Sequence, residues 1–245
     1  MNILGIDEAG RGCVLGDLVL AGVLVNAKAE QELKNLNLKD SKFYGSGKKA
    51  HQQRKNLAKI IRTLCPFFLL AHSAKRVDAY VRNFNLNVLE REMAAEILSQ
   101  ISWDKAVLDG NKIFQPLVKK ILEDKKFSKS SNLGEKEHNC SATIFALDYA
   151  DQQEVAVQAA SILAKVERDE RLHNLFQGLP ERYHSFQEKG GGYGNAGTLA
   201  FLQAYALQER ALPSFFRTSY QWKNWQAWLK QNQMEFLSSL PLSCV

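Results

Sequence analysis

The stretch Gly5-Ile6-Asp7-Glu8-Ala9-Gly10-Arg11-Gly12 decides how the chain is read. A short apolar run over residues 2–7 ends in two adjacent acids, and a glycine-arginine-glycine turn follows. With Gly16 added, the glycines are spaced close to the fingerprint of a dinucleotide-binding loop. That fingerprint needs the turn to open a helix, whose N-terminus then holds a pyrophosphate. Here residues 17–25, DLVLAGVLV, continue as a β-branched, glycine-interrupted apolar run, which predicts a second strand. A turn between two strands disfavours a dinucleotide site and leaves the paired acids as the feature to explain.

Further along, residues 66–74, 105–110 and 141–151 read as strands, and 48–63, 85–101, 155–176, 198–210 and 221–237 as helices. In 85–101, Leu86, Leu89, Met93, Ile97 and Ile101 fall near one helical face. Small residues in 155–176 would let that helix approach a sheet closely. Residues 190–197, GGGYGNAG, predict a turn, and the polar stretch 124–139 an exposed loop. Strands with helices between and after them predict an α/β fold with a mixed central sheet.

A net charge of +6 permits a polyanionic partner without requiring one. Cys13, Cys65, Cys140 and Cys244 form no C-x-x-C pair and no zinc-ligand spacing, so reduced thiols and a cytoplasmic location are expected. No apolar run reaches the roughly 18–20 residues of a membrane span. No basic region precedes an apolar one at the N-terminus, so no signal peptide is expected.

Three predicted strands end in acid: Asp7-Glu8, Asp109, and Asp148 or Asp151. Strand carboxyl ends are where open α/β sheets place their sites. If these strands are neighbours, their carboxylates converge with no histidine or cysteine among them, a donor set suited to Mg²⁺ or Mn²⁺. Like charges brought together without a cation would raise each other's pKa. A pair of such ions can activate water in phosphoester hydrolysis. Each acid by itself also has an ordinary explanation, since Asp-Gly after a strand is a common turn.

These residues carry a resemblance. GIDEAGRG followed by an apolar strand resembles the N-terminal signature of type 2 ribonucleases H, the ribonuclease HII family. Lys39-Asp40-Ser41-Lys42 is similar to the family's D-S-K motif, and Asn85 to Glu92 to a segment of its archaeal and eukaryotic-like members. Val107 to Gly110 resembles the strand with the third acid, Ala159 to Asp169 (AASILAKVERD) the most recognisable helix, Gly192-Tyr193-Gly194 the G-Y-G turn, and Arg217-Thr218-Ser219 the closing segment.

The resemblance implies a ribonuclease H-like catalytic domain over 1–200, with a C-terminal helical extension, 201–245, packed on it. It implies Asp7, Glu8, Asp109 and Asp151 as catalytic metal ligands, the last by its place seven residues before Gln158. Gly10, Arg11 and Gly12 would approach a ribonucleotide 2′-hydroxyl, which is what separates RNA from DNA. Tyr193 would pack on the following sugar, and Ser41, Lys42 and Lys165 would contact phosphate or the active site. The implied activity is metal-dependent cleavage, 5′ of the ribonucleotide, of RNA/DNA hybrids and of single ribonucleotides in duplex DNA. The implied cofactor is Mg²⁺ or Mn²⁺, and the chain is expected to act as a monomer, although eukaryotic-like relatives need partner subunits.

The chain departs from the family pattern at Cys13 and Asp17, where proline is usual, at Phe43, where lysine is usual, and at Gln158, where serine is common. Trp222, Trp225 and Trp228 recur every three residues in the tail, a pattern read as core packing over a docking face. The rival readings are a DNA-only nuclease of the same fold, which would have no 2′-hydroxyl to read, and a non-catalytic hybrid-binding protein.

Overall fold

The computed structural model describes residues 1–39, 41–45, 47–130 and 143–234, with Lys42, residues 125–130 and Glu188 described in their backbone only. Among them are five strands, β1 (Ile3–Ala9), β2 (Leu18–Val25), β3 (Phe67–His72), β4 (Lys105–Asp109) and β5 (Thr143–Leu147). The helices are α1 (Ala27–Asn35), α2 (Lys48–Leu64), α3 (Ala74–Asn83), α4 (Leu86–Gln100), α5 (Asn111–Ser130), α6 (Val155–Gln177), α7 (Phe186–Gly190), α8 (Ala196–Glu209) and α9 (Lys223–Gln231).

The strands form one sheet in the order β3-β2-β1-β4-β5. β1, β4 and β5 run parallel, with Ile6 opposite Leu108 and Asp109 opposite Leu147. The central strands β1 and β2 are buried almost throughout, which is why they read as continuous apolar runs. At the edge, β5 alternates, leaving Phe145 and Leu147 exposed.

Two glycines set how helices meet the sheet. A Cβ on Gly5 would stand 2.2–2.4 Å from backbone atoms of Ala156 and Val157, so the start of α6 lies directly on β1. A Cβ on Gly22 would meet Ile97 of α4 at 2.4 Å and Leu4 at 3.5 Å. Leu4 and Gly5 point to opposite faces of β1, so α4 and α6 cover opposite faces of the sheet.

The chain divides into two compact units. One comprises Met1–Ala9, Leu20–Leu70 and Asn87–Val166 and holds most of the sheet together with α1, α2, α5, nearly all of α4 and the first half of α6. The other comprises Gly10–Val19, Ala71–Leu86 and Glu167–Val245. Its core gathers Val14 and Leu15 with Phe176, Phe201, Phe215, Phe216, Trp225 and Leu229. Trp225 is buried and stacks on Trp228 at 5.2 Å, and Trp222 also packs against this core, as the core-packing reading expected.

Several expectations need correction. Residues 124–130, expected in a loop, are the last turns of α5, because the helix continues through a lysine-rich polar stretch that also satisfies helical propensity; residues 131–139 lie outside the described residues. The strand expected over 141–151 ends at Leu147, since Tyr149 turns the chain with φ 61° into a short 3-10 helix, Ala150–Gln152. α1 and α3 were not anticipated. α1 is signalled only by its cap, Asn26, whose side chain accepts from the Ala29 amide at 2.9 Å. Cys13 and Cys65 are buried free thiols, while Cys140 and Cys244 lie outside the described residues.

Gly5→Ala should cost about 3 kcal/mol or more, because the new methyl meets helix backbone that cannot rotate away. Urea unfolding of the variant measures this, and a loss under 1 kcal/mol would mean that α6 can shift off β1 (~1 kcal/mol being the scale of a tolerated core change).

Candidate active site

In the first unit the acids come from neighbouring elements. Asp7 follows Ile6, and Asp109 follows Leu108, its partner in register, so the carboxyl ends of β1 and β4 lie side by side. Asp7 is buried, and its Oδ1 accepts from the Glu8 amide at 2.7 Å. Burial first, then the charges of Glu8 and Asp109, push the Asp7 carboxyl well above the ordinary range, while a hydrogen bond from Ser161 acts the other way. Asp109 Oδ1 accepts from the Ala150 amide at 2.7 Å, which ties β4 to the 3-10 turn that carries Asp151.

Asp109 and Asp151 line one cleft of about 530 Å³ together with Asp148, Tyr149, Lys112 and Gln152. Asp151 is buried. Asp148 is exposed and caps α5, accepting from the Asn111 amide at 2.9 Å. Between the two acids left open after the β5 run, the buried position is Asp151 and the helix-capping one is Asp148.

The D-S-K segment also belongs to this unit. Ser41 is buried, and its Oγ lies 3.0 Å from Ser161 Oγ on α6, so a serine pair leads from that segment to Asp7. Half-buried Lys165 is one helical turn beyond Ser161, on the same side of α6. Ser161 was quoted in the family helix without a role, and nothing in its spacing marked it. Its place became visible only where α6 lies against β1. The Lys42 side chain and Asp40 lie outside the described residues. Arg54, in the same helix as Lys48 and Lys49, is buried and donates to the carbonyls of Gly45 at 2.8 Å and Ser41 at 3.4 Å. It braces the loop from beneath, whereas Lys48 and Lys49 are exposed.

The donors suit a hard divalent cation in kind and in charge: all are carboxylates, and Asp7 already carries the strain of its like-charged neighbours. Among the described residues, however, no three His, Cys, Asp or Glu side chains are gathered closely enough to hold an ion.

In the second unit the glycine-arginine-glycine turn is built on Arg217. Its guanidinium is wholly buried and donates to the carbonyls of Gly10 at 2.7 Å and Gly16 at 3.0 Å. Tyr220 adds a bond to the Arg11 carbonyl at 2.6 Å. Thr218 and Ser219 are in turn held by buried Asp78 of α3, which accepts from both amides and both hydroxyls at 2.6–3.1 Å. Gly10 has φ +95° and would place a Cβ 2.5 Å from the Asp17 carbonyl, so it is required by the turn itself. Gly12 has no atom within 4 Å of where its Cβ would be. Asp17, the added acid, is engaged with Arg171 at 2.6 Å.

Tyr193 lies 43% exposed, bridged to Cys13 across two backbone segments. Burial of the phenol oxygen pushes its pKa up to about 12, so the hydroxyl keeps its proton throughout the neutral range.

A five-stranded mixed sheet with helices on both faces and acids at adjoining strand ends is the architecture of the ribonuclease H fold. The model of the family described as Ribonuclease HII matches residues 4–224. A curated ribonuclease HII of Methanothermobacter thermautotrophicus is 32% identical over 222 residues, which are 90% of this chain and 96% of the relative. The crystal structure of the ribonuclease H2 from Pyrococcus horikoshii OT3 superposes with a TM-score of 0.73 at 26% identity, covering 98% of this chain and all of the other. The Archaeoglobus fulgidus ribonuclease HII, solved in a complex with PCNA, superposes with a TM-score of 0.70 at 30% identity, covering 91% of this chain and 96% of the other. The chain belongs to the ribonuclease HII family, whose activity is that of a ribonuclease H endonuclease.

Removing one buried like charge should relieve the metal-free protein. Asp7→Asn is expected to raise the unfolding temperature in chelator by about 2–4 °C for each kcal/mol of repulsion removed. Because the folded-state pKa of Asp7 is raised, its contribution to stability is present in acid and lost as pH rises through the folded value. Chelated wild-type protein should therefore lose more stability between acid and neutral pH than the variant does. Parallel curves for the two proteins would show that Asp7 bears no such repulsion.

Proposed function

We propose that the enzyme cuts the RNA strand of RNA/DNA hybrids, and single ribonucleotides embedded in duplex DNA, on the 5′ side of the ribonucleotide. The products are 3′-hydroxyl and 5′-phosphate ends, and the cellular role is ribonucleotide removal from DNA and clearance of RNA primers in the cytoplasm. The observation that carries this reading is the like-charged group Asp7, Glu8 and Asp109, with Asp151 on the wall of the Asp109 cleft.

In this reading Asp7, Glu8, Asp109 and Asp151 hold Mg²⁺ or Mn²⁺, in keeping with the metal dependence of the family. Two such ions, when bound, supply an activated water and a positive charge for the departing 3′ oxygen. Asp7 provides a buried carboxylate beside Glu8 and Asp109, and Ser161 orients it by hydrogen bonding. Asp109 is aimed by the Ala150 amide. Ser41, Lys42 and Lys165 contact the phosphate backbone, while Lys48 and Lys49 add a salt-sensitive attraction for the duplex. Residues 1–200 carry the catalysis, and the segment after 201 completes the core of the second unit. The enzyme acts as a monomer, and the PCNA complex of its Archaeoglobus relative makes a partner protein a second arrangement to test.

Recognition of the 2′-hydroxyl falls to Gly10, Arg11 and Gly12 and to Tyr193. The carbonyls of Gly10 and Arg11 are taken up by Arg217 and Tyr220, which supports a turn that offers its remaining backbone groups to substrate. Gly12 supports the reading further, since no packing among the described residues demands its lack of a side chain. A DNA-only nuclease would have no use for such a turn.

The deciding experiment is cleavage of a DNA duplex carrying one ribonucleotide, beside an all-DNA duplex and a full hybrid, with Mg²⁺, Mn²⁺ or chelator. A metal-dependent cut 5′ of the ribonucleotide, sparing the all-DNA duplex, is expected; cleavage of DNA alone would overturn the substrate, and binding without cleavage the chemistry. Asp7→Asn should lower the rate by about 10²–10³-fold. Gly12→Ala should unfold like the wild type yet lose about tenfold or more in cleavage, because a methyl would stand where the sugar must approach. A fully active Gly12→Ala enzyme would remove the turn from substrate recognition.

A further inference from the structure

Arg168 is a buried cation in a costly position. Only 1% of it is exposed, and its Nε has no hydrogen-bond partner among the described residues. Burying a guanidinium with an unsatisfied donor is unfavourable unless its other contacts compensate. Those contacts are with three neighbours, Asp169, Cys13 and Tyr193. One terminal nitrogen binds Asp169 Oδ1 at 3.0 Å, and the other lies 2.9 Å from Cys13 Sγ. The guanidinium carbon stands 5.2 Å from the centre of the Tyr193 ring, in range for a cation–π contact. Gly192 must be glycine here, since its Cβ would lie 2.5 Å from the same terminal nitrogen that meets Cys13.

Cys13 closes this arrangement from the other side. Its backbone bridges to Tyr193, and its amide donates to the Gly10 carbonyl at 3.2 Å. The Val14 and Leu15 amides both bind the Gly192 carbonyl, at 2.9 and 3.1 Å. Proline, usual at this position in the family, has neither the amide proton nor the sulfur. This chain therefore ties the Tyr193 ring through a contact that depends on its own departure from the pattern.

We propose that Arg168, held by Asp169 and Cys13, is a positioning residue that fixes the Tyr193 ring for substrate and so sets the preference for single embedded ribonucleotides over long hybrids. The inference rests on the reading of Tyr193 as a substrate contact. An aromatic ring that is nearly half exposed would otherwise sample several rotamers, and ordering it only when substrate arrives would weaken binding. A guanidinium plane beneath the ring removes that freedom in advance. Misplacing a substrate-positioning group by about 1 Å can cost 10²-fold in rate.

Two measurements test this. The first is ¹⁹F NMR of fluorotyrosine-labelled protein, with the Tyr193 signal assigned by its loss in Tyr193→Phe. Arg168→Met should move that signal toward the position of a freely exposed tyrosine, and Arg168→Lys should move it less. The second is the ratio of kcat/KM on a single-ribonucleotide duplex to that on a long hybrid. Arg168→Met should lower the ratio about tenfold or more, and Cys13→Ala by a smaller factor. The double variant Arg168→Met/Tyr193→Ala should be no worse than Tyr193→Ala alone, as expected for two residues acting through one contact.

An unmoved Tyr193 signal in folded Arg168→Met, equal losses on both substrates, or losses that multiply in the double variant would each overturn the proposal. Should Arg168→Met not fold, Arg168→Lys and Cys13→Ala decide, and an unchanged signal and ratio in both would overturn it as well. If Tyr193→Ala spares the ratio, the substrate reading of Tyr193 falls and takes the proposal with it. If Tyr193→Ala abolishes the preference while the Arg168 and Cys13 variants keep it, the proposal alone falls.

Discussion

The repulsion gathered around Asp7 is the constraint on which the first unit depends. A buried carboxyl beside Glu8 and Asp109 is unfavourable in the bare protein, so the fold must hold it in place by other means. It does so with rigid elements on every side: a central strand buried along nearly its whole length, a parallel neighbour in register, and a helix whose backbone touches the strand at Gly5. The Ser161 and Ala150 hydrogen bonds steer the acids but do not neutralise them.

The second unit solves a different problem with two buried arginines. Arg217 takes up backbone carbonyls and so fixes a turn, and Arg168 lies under an aromatic ring. In both cases the guanidinium's planar fork reaches several acceptors at fixed angles, which a lysine could not do. Each keeps one nitrogen without a hydrogen bond among the described residues. Asp78 extends the same logic to Thr218 and Ser219, locking the segment next to Arg217 with four bonds to one carboxylate.

Much of this was legible in the sequence. The strands with continuous apolar runs, the α4 face with Leu89, Met93 and Ile97 buried, and the acids at strand ends all follow from periodicity and from the chemistry of their residues. Other features carried no such signal. α3 is short, and α5 runs on through lysines that read equally as a loop. Arg54 looked like one more surface cation in a basic stretch, since burial of an arginine leaves no periodic trace. The choice between Asp148 and Asp151 needed either the family spacing or the turn at Tyr149, whose positive φ sends one acid to a helix cap and the other into the interior.

The sequence by itself determined the class of fold, the acids at the strand ends and the identity of the turn, because these depend on residue type and on local order along the chain. Only the tertiary structure decided which side chains serve them. Ser161 reaches Asp7 because α6 lies against a glycine, and Ser41 joins it from 120 residues away. Cys13, Arg168 and Tyr193 meet because the backbone of one segment bridges to another far along the chain. Contacts of that kind are made by packing between distant segments, and no spacing between neighbouring residues records them.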